Sequence, residues 1–204
     1  MKNYILIGIC ICILFISCAS HDAVHIEEVF VKGGTMTIGD GTHFTQYDYT
    51  AQNLYAAKYE FSWGLLVQTV AYGIEHDYLE IKNNKLYPLS GSFPEFSKVI
   101  LDFSKLTDFL FVSGNSLSAV PGYEEFPAHS IAWFGIPYIC NIMSEMNNYK
   151  PCYETATWKI IEGTNGYRLP AFEEWEFLAR GGIESKGYTY AGSNDPDEAG
   201  WLRS

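Results

Sequence analysis

The spacing of apolar side chains predicts two amphipathic helices in the middle of the chain. Between residues 60 and 78, apolar residues recur every three or four positions, as on one face of an α-helix. This first stripe consists of Trp63, Leu66, Val67, Val70 and Ile74. The second stripe, which predicts a helix over residues 132–146, consists of Trp133, Ile136, Cys140 and Met143. Pro137 interrupts that helix, so we expect a kink unless the proline lies in the first turn.

A third helix is predicted over residues 171–180. Pro170 lies just before it, and Glu173 and Glu174 fall in its first turn, where negative charge suits the helix dipole. The expected buried face consists of Phe172, Trp175, Leu178 and Ala179. The pair Gly181–Gly182 then ends the helix, because glycine adopts left-handed backbone angles without steric cost.

The remaining patterns predict short strands joined by irregular chain. Residues 24–38 are typical of a strand, with Gly33–Gly34 marking a turn or bulge within it, and residues 158–162 are typical of a second strand. The stretch 79–125 mixes turn residues with apolar runs, and we interpret it as an insertion. A few short helices among strands and turns predict an irregular α+β domain rather than a bundle or a doubly wound sheet.

The N-terminus is typical of an export signal. Lys2 precedes an unbroken apolar run from Tyr4 to Ile16. As a helix this run spans about 20 Å, which is too short for a hydrocarbon core of about 30 Å. A positively charged start and a short apolar segment are instead features of a cleaved secretory signal.

The segment that ends the apolar run resembles the bacterial lipobox. It reads Phe15-Ile16-Ser17-Cys18-Ala19, with apolar residues and a small residue before the thiol. The resemblance implies a signal peptide over residues 1–17, lipidation of Cys18 and a lipidated tether over residues 18–25. Two or more acyl chains make a stable anchor. We therefore expect an exported protein of the bacterial cell envelope, attached to a membrane by lipid, with the membrane and its side left open.

The net charge and the cysteine content limit the classes of function that the chain can have. The net charge of -11 excludes a nucleic-acid partner, which requires clustered Lys and Arg, and disfavours electrostatic binding to anionic lipid. In the mature chain, only Cys140 and Cys152 remain besides Cys18. They form a possible disulfide that could add roughly 3 kcal/mol in an exported protein, but two free, half-buried thiols are equally compatible with the sequence. Neither is flanked by His or Lys, so a reactive thiolate is disfavoured.

A family resemblance is carried by residues 166–182, Gly-Tyr-Arg-Leu-Pro-Ala-Phe-Glu-Glu-Trp-Glu-Phe-Leu-Ala-Arg-Gly-Gly. This segment resembles the signature of the formylglycine-generating enzyme, or sulfatase-modifying factor, family. The matched signature positions are Arg168, Leu169, Pro170, Glu174, Trp175, Glu176, Arg180, Gly181 and Gly182. Supporting pieces follow in family order at 30–39, 58–62, 126–133, 188–194 and Trp201.

The resemblance implies an irregular α+β fold akin to C-type lectins over residues 26–204. Family members continue through a calcium-coordinating loop to a cysteine pair that binds copper and oxidises a sulfatase cysteine to formylglycine. The resemblance therefore implies a domain that is incomplete at its C-terminus, with no catalytic residue in this chain. Calcium and copper are expected only where the missing C-terminal half is present.

The signature residues have an architectural interpretation. We expect Arg168 to form an internal ion pair, Pro170 to start the third helix and Trp175 to fill the core. The family's Thr at the helix start is Ala171 here, and if that Thr caps the helix, its loss costs roughly 1 kcal/mol.

No metal site is predicted from the remaining polar residues. The histidines are scattered, without ligand spacing: His21, His25, His43, His76 and His129. Asp195, Asp197 and Glu198 lack the pattern of an EF-hand loop and predict a solvated acidic turn.

Three functional hypotheses remain. The first and preferred one is a non-catalytic lipoprotein whose domain binds an unidentified protein or surface ligand, or has a structural role. The second is a formylglycine-generating or related metal-dependent oxidase represented by an incomplete chain. The third is a remnant that does not fold cooperatively, because missing core elements would expose apolar side chains such as Phe172 and Trp175.

Overall fold

A computed structural model of the chain describes residues 26–91 and 98–199. The predicted signal peptide, Cys18 and the tether lie outside the described residues, as does Trp201. No helix within the described ranges is long and apolar enough to span a membrane.

The described chain alternates short strands with four helices and two single-turn 3-10 helices. The strands are β1 (Glu28–Val31), β2 (Gly34–Ile38), β3 (Tyr47–Ala51), β4 (Leu54–Ala57), β5 (Leu79–Lys82), β6 (Lys85–Pro88), β7 (Leu101–Asp102), β8 (Leu110–Ser113) and β9 (Ser116–Ala119). The helices are α1 (Trp63–Glu75), α2 (Gly135–Met146), α3 (Phe172–Ala179) and α4 (Pro196–Ala199), with 3-10 turns at Phe103–Lys105 and Gly182–Glu184. This mixed architecture agrees with the expected irregular α+β class.

All strand pairs in the described part are antiparallel and short. β1 pairs with β4, β2 with β3, β8 with β9, and β5, β6 and β7 form a three-stranded sheet. The predicted strand 24–38 is therefore two strands with different partners, and Gly33–Gly34 marks the break between them. A Cβ at Gly33 would collide with the carbonyl oxygen of Ala51, which explains the need for glycine there.

The main hydrophobic core lies between α1, α2 and the strands of the 79–125 stretch. Trp63, Leu66 and Val70 of α1 face Ile139 and Ile142 of α2. The 79–125 stretch contributes Leu79, Leu86, Ile100, Leu101, Phe103, Leu106, Leu110 and Leu117 to the same cluster. This stretch is thus an integral part of the core; its status as an insertion relative to the family stays a prediction.

The first two predicted helices are present with shorter bounds. The hydroxyl of Ser62 accepts a hydrogen bond from the Leu65 amide at 3.3 Å, so α1 begins at Trp63 rather than at residue 60. Pro137 lies in the first turn of α2. Backbone amides there have no carbonyl partner within the helix, so the missing amide of the proline breaks no hydrogen bond and requires no kink. Trp133 precedes α2 and is 74% exposed, which corrects its expected place in the buried stripe.

The predicted strand 158–162 was wrong. In the structure this segment forms one isolated bridge, between Tyr153 and Ile160. Trp158 adopts a φ of +58°, a left-handed angle that breaks an extended strand and is rare for a bulky residue.

The expected buried face of α3 was also wrong in part. Phe177 is fully buried and Glu176 nearly so, whereas Phe172 and Trp175 are 51% and 58% exposed. Trp175 therefore does not fill the core. The physical reason is that both sides of α3 carry aromatic residues, and the helix packs on β2, β3 and the Gly182–Glu184 turn through its Glu176–Phe177 side.

Ala171 occupies the N-cap position of α3 with an extended backbone, φ −62° and ψ 162°. This is the conformation in which a threonine hydroxyl accepts a hydrogen bond from the amide three residues on. The Ala171→Thr variant is therefore expected to raise the free energy of unfolding by about 1 kcal/mol in urea titrations. Ala171→Val, which has the same shape without the hydroxyl, is the control; an equal gain in both variants would contradict the capping explanation.

Candidate functional site

The signature segment is built around one ion pair. The Arg168 guanidinium donates to both carboxylate oxygens of Glu174, at 2.6 and 2.7 Å, and also to the carbonyl oxygen of Leu169 at 3.1 Å. Glu174 in turn accepts from the Ala171 amide at 2.8 Å. The ion pair expected for Arg168 is present, and it holds the turn before α3 in one conformation.

This pairing also sets the ionisation of Glu174. The two hydrogen bonds from Arg168 are the main reason that the pKa of Glu174 lies below its usual value, against the opposing effect of partial burial. The bond from the Ala171 amide acts in the same direction. Glu174 therefore stays ionised, as the bidentate pair requires.

A second network ties the signature segment to α2. The Tyr153 hydroxyl accepts a hydrogen bond from the Leu169 amide at 3.0 Å. Asn141 of α2 makes two hydrogen bonds with the Tyr153 backbone. Its side-chain Nδ2 donates to the Tyr153 carbonyl oxygen at 2.7 Å, and its Oδ1 accepts from the Tyr153 amide at 3.0 Å. Since Asn141 and Tyr153 are buried, these bonds keep the segment between α2 and α3 in a fixed place.

An apolar depression, the aromatic groove, lies between these elements. It has a volume of ≈ 340 Å³. Its lining residues are Trp133, Phe134, Pro137, Tyr153, Trp158, Ile160, Leu169, Pro170 and Ala171. The Trp158 ring packs edge to face on Tyr138, with ring centroids 5.9 Å apart, so one wall of the groove rests on α2. Trp133 and Ile160 are exposed at its mouth.

The other half of the signature joins α3 to the end of β2. The nearly buried carboxylate of Glu176 accepts from the Gly39 amide at 2.8 Å and pairs with Arg180 at 2.6 Å. Gly39 has a φ of +86°, and a Cβ there would lie 2.5 Å from the carbonyl oxygen of Thr45. Gly181–Gly182 follows with φ values of +87° and +59°, as expected for a glycine helix stop.

Exposed aromatic residues continue from the groove onto α3. Phe172 directly follows Ala171 of the groove lining, and its ring centroid lies 5.9 Å from that of Phe44. The Tyr47 hydroxyl donates to Glu173 at 3.0 Å, and Trp175 lies one turn further along α3. We call Phe44, Tyr47, Phe172 and Trp175 the α3 face. Sequence reasoning missed this surface because it assigned Phe172 and Trp175 to the core.

A second depression of ≈ 340 Å³ is more polar. It lies on the other side of Tyr153, and Tyr78, Tyr138, Asn141, Glu145 and Glu154 contribute to it. The Tyr78 hydroxyl donates to Glu145, and this bond raises the pKa of Tyr78 to about 12. The Tyr138 hydroxyl donates to the Tyr78 carbonyl oxygen at 2.8 Å. Its polar groups are thus engaged with one another, which leaves the aromatic groove as the stronger candidate.

Cys140 and Cys152 lie in one buried cluster as free thiols. The Cys152 thiol donates to the Gly166 carbonyl oxygen at 3.0 Å and accepts from the Thr164 hydroxyl at 3.2 Å. Burial raises the pKa of Cys140 to about 12, so it is a protonated thiol at neutral pH. The possible disulfide between them stays a prediction.

The other candidate ligands do not converge. Within residues 26–91 and 98–199, no group of three His, Cys, Asp or Glu side chains could hold a metal ion. His43 pairs with Asp40 at 2.9 Å, and His76 and His129 contact Tyr72 and Ser130. Asp195, Asp197 and Glu198 are exposed at the start of α4, where the Asp195 carboxylate accepts from the Asp197 amide at 3.0 Å.

Comparison with known proteins settles the family. The family model described as "Sulfatase-modifying factor enzyme 1-like domain" matches residues 19–204. The chain belongs to this family. The crystal structure of CarF matches with a TM-score of 0.58 at 19% identity, over 85% of this chain and 65% of that one, and shows the same fold. The resemblance drawn from the signature segment is thereby confirmed.

A curated relative is also similar in sequence. "Chaperone protein LppX" of Paenibacillus barcinonensis is 37% identical over 107 residues, which is 44% of this chain. The chain thus spans 38% of that relative's length.

The depressed pKa of Glu174 generates a pH prediction. A carboxylate with a lower pKa in the folded state contributes stability above its unfolded pKa of about 4.3 and loses it as pH falls through the folded value. Glu174→Gln is therefore expected to lower the unfolding free energy by about 1 kcal/mol at pH 7, and by progressively less below pH of about 4. Urea titrations across this range test it. A difference that is independent of pH would contradict the role of the ion pair, and Glu184→Gln is an exposed control.

The burial of the two thiols generates a second prediction. In reduced native protein, Cys140 and Cys152 are expected to resist alkylation by iodoacetamide at pH 8, because both are buried and Cys140 has a pKa of about 12. In urea, both are expected to react rapidly, and peptide mapping by mass spectrometry distinguishes them from the other cysteines. Equal rates in native and unfolded protein would contradict the packed cluster.

Proposed function

We propose that this chain is an exported lipoprotein whose domain binds other exported polypeptides without catalysing a reaction on them, in the manner of a chaperone. The single observation that carries this proposal is the aromatic groove. No carboxylate, imidazole or thiol is among its lining residues, and its side chains are aromatic, aliphatic or proline. Such a lining offers an apolar binding surface to a polypeptide.

The construction of the groove supports binding by a preformed surface. The Arg168–Glu174 pair and the Asn141–Tyr153 bonds fix its walls before any ligand arrives. A preorganised site avoids part of the entropy cost of ordering its own side chains on binding. The 37% identity to a protein named as a chaperone supports the same class of function.

The membrane anchor is part of the proposal. The Cys18 segment is similar to a lipobox, and residues 18–25 would tether the domain to the membrane surface. An intact mass of the protein extracted from its own cells tests this part: acyl chains on Cys18 are the expected result, and an unmodified Cys18 would exclude the anchor.

A formylglycine-generating oxidase is the second candidate, because the family description contains an enzyme. Oxidation through copper requires an accessible thiolate pair, but Cys140 and Cys152 are both buried, and the Cys152 thiol donates to the Gly166 carbonyl oxygen. This pair is therefore not a suitable copper site. Turnover of a sulfatase peptide by the chain supplied with copper would reverse the preference for a binding protein.

The binding function is tested with reduced, carbamidomethylated lysozyme, a secreted protein that cannot refold. Fluorescence anisotropy is expected to show binding of this chain to the unfolded probe and no binding to native lysozyme. Trp133→Ala is expected to weaken binding at least about fivefold, because an exposed tryptophan at the mouth of an apolar groove is a strong anchor.

The control is Phe111→Ala, which removes an exposed aromatic side chain from β8 and is expected to leave binding unchanged. Urea unfolding of each variant shows whether folding is retained, and a cooperative transition argues against the remnant hypothesis. Equal affinity for native and unfolded lysozyme, or equal effects of both variants, would exclude the groove as the binding site.

A further inference from the structure

The groove and the α3 face form one exposed apolar surface. Ala171 lines the groove, the next residue Phe172 is exposed, and its ring packs against exposed Phe44. Trp175 lies three positions further along α3 and is exposed as well. A continuous patch of this kind on a folded domain indicates a site of interaction.

Carboxylates border this surface on the side of α3. Glu173 follows Phe172 and is held by the Tyr47 hydroxyl at 3.0 Å. Asp40 accepts from the amides of Thr42, His43 and Phe44, and these bonds with that of the His43 ring hold its pKa well below the usual range. The rim is therefore negatively charged at neutral pH.

The nearby cations do not neutralise this rim. Arg168 is committed to Glu174, and Arg180 to Glu176. In the part of the chain that the structure describes, Glu173 forms no ion pair with Lys or Arg, and Asp40 pairs with the His43 ring at 2.9 Å. The α3 face is thus bordered by the carboxylate of Glu173, which no Lys or Arg side chain compensates.

From this geometry we infer that the surface binds extended polypeptide segments in which aromatic or aliphatic side chains alternate with lysine or arginine. The apolar side chains occupy the groove and the α3 face, while the basic ones meet Glu173 and Asp40. This inference rests on the proposed function and names its substrate class. A second copy of the chain fits less well, because two molecules of net charge -11 repel each other.

The experiment compares three labelled peptides with the same phenylalanine and leucine positions, which carry lysine, glutamine or glutamate between them. Anisotropy at low salt is expected to give about tenfold tighter binding for the lysine peptide than for the glutamine peptide, and the weakest binding for the glutamate peptide. The preference is expected to shrink as salt is added, because the rim is exposed and screened.

Variants separate charge from apolar contact. Glu173→Gln keeps an oxygen for Tyr47 and is expected to reduce the preference for lysine about threefold, with the glutamine peptide unaffected. Asp108→Asn removes an exposed carboxylate between β7 and β8 and is the matched control, with no expected change. Phe172→Ala is expected to weaken the binding of all three peptides. Phe111→Ala is expected to leave their binding unchanged, although Phe111 is 55% exposed and Phe172 is 51% exposed.

The outcomes distinguish the inference from the function on which it rests. Equal affinity for the three peptides would overturn the basic preference and leave the binding function in place. No binding of any peptide, together with no binding of unfolded lysozyme, would overturn both. A dimer by sedimentation that Phe172→Ala dissociates would assign the surface to a second copy instead.

Discussion

The arrangement of this domain depends on the contacts of the buried Glu176 carboxylate. It accepts a hydrogen bond from the Gly39 amide at the end of β2 and pairs with Arg180, so it joins two segments 137 residues apart in sequence. A buried carboxylate without such partners would be strongly unfavourable, and this fixes which side of α3 faces inward. Phe177 follows Glu176 into the interior, and Phe172 and Trp175 are left on the outside.

The orientation of α3 in turn creates the candidate site. With α3 held on β2, the Leu169 amide in the turn before it donates to the Tyr153 hydroxyl, and Asn141 of α2 holds the Tyr153 backbone. The polar bonds are all directed into the scaffold, so the groove between these elements is lined by apolar side chains. The signature of the family therefore acts here as a structural clamp, and the binding surface consists of the residues that this clamp leaves exposed.

The sequence predicted the features that depend on local pattern. The two long helices, the break at Gly33–Gly34, the Arg168 ion pair and the glycine stop after α3 each follow from spacing or backbone chemistry within a few residues. The family followed from the signature segment for the same reason. The five short strands of residues 79–125 were not predicted, because strands of two to four residues are too short to show the alternation of apolar and polar side chains.

The orientation of α3, which the sequence did not predict, is decided by a distant contact. Both sides of α3 carry aromatic residues, so periodicity alone cannot choose between Phe172 and Phe177 as the buried one; the choice depends on Gly39, far away in the chain. Trp158, by contrast, adopts its left-handed backbone angle in a local turn, in which its amide donates to the Glu154 carbonyl oxygen at 2.7 Å. That turn replaced the predicted strand and brought Trp158 into the groove. The bond between Glu176 and Gly39 and the local turn at Trp158 thus determine which aromatic residues are available to a partner.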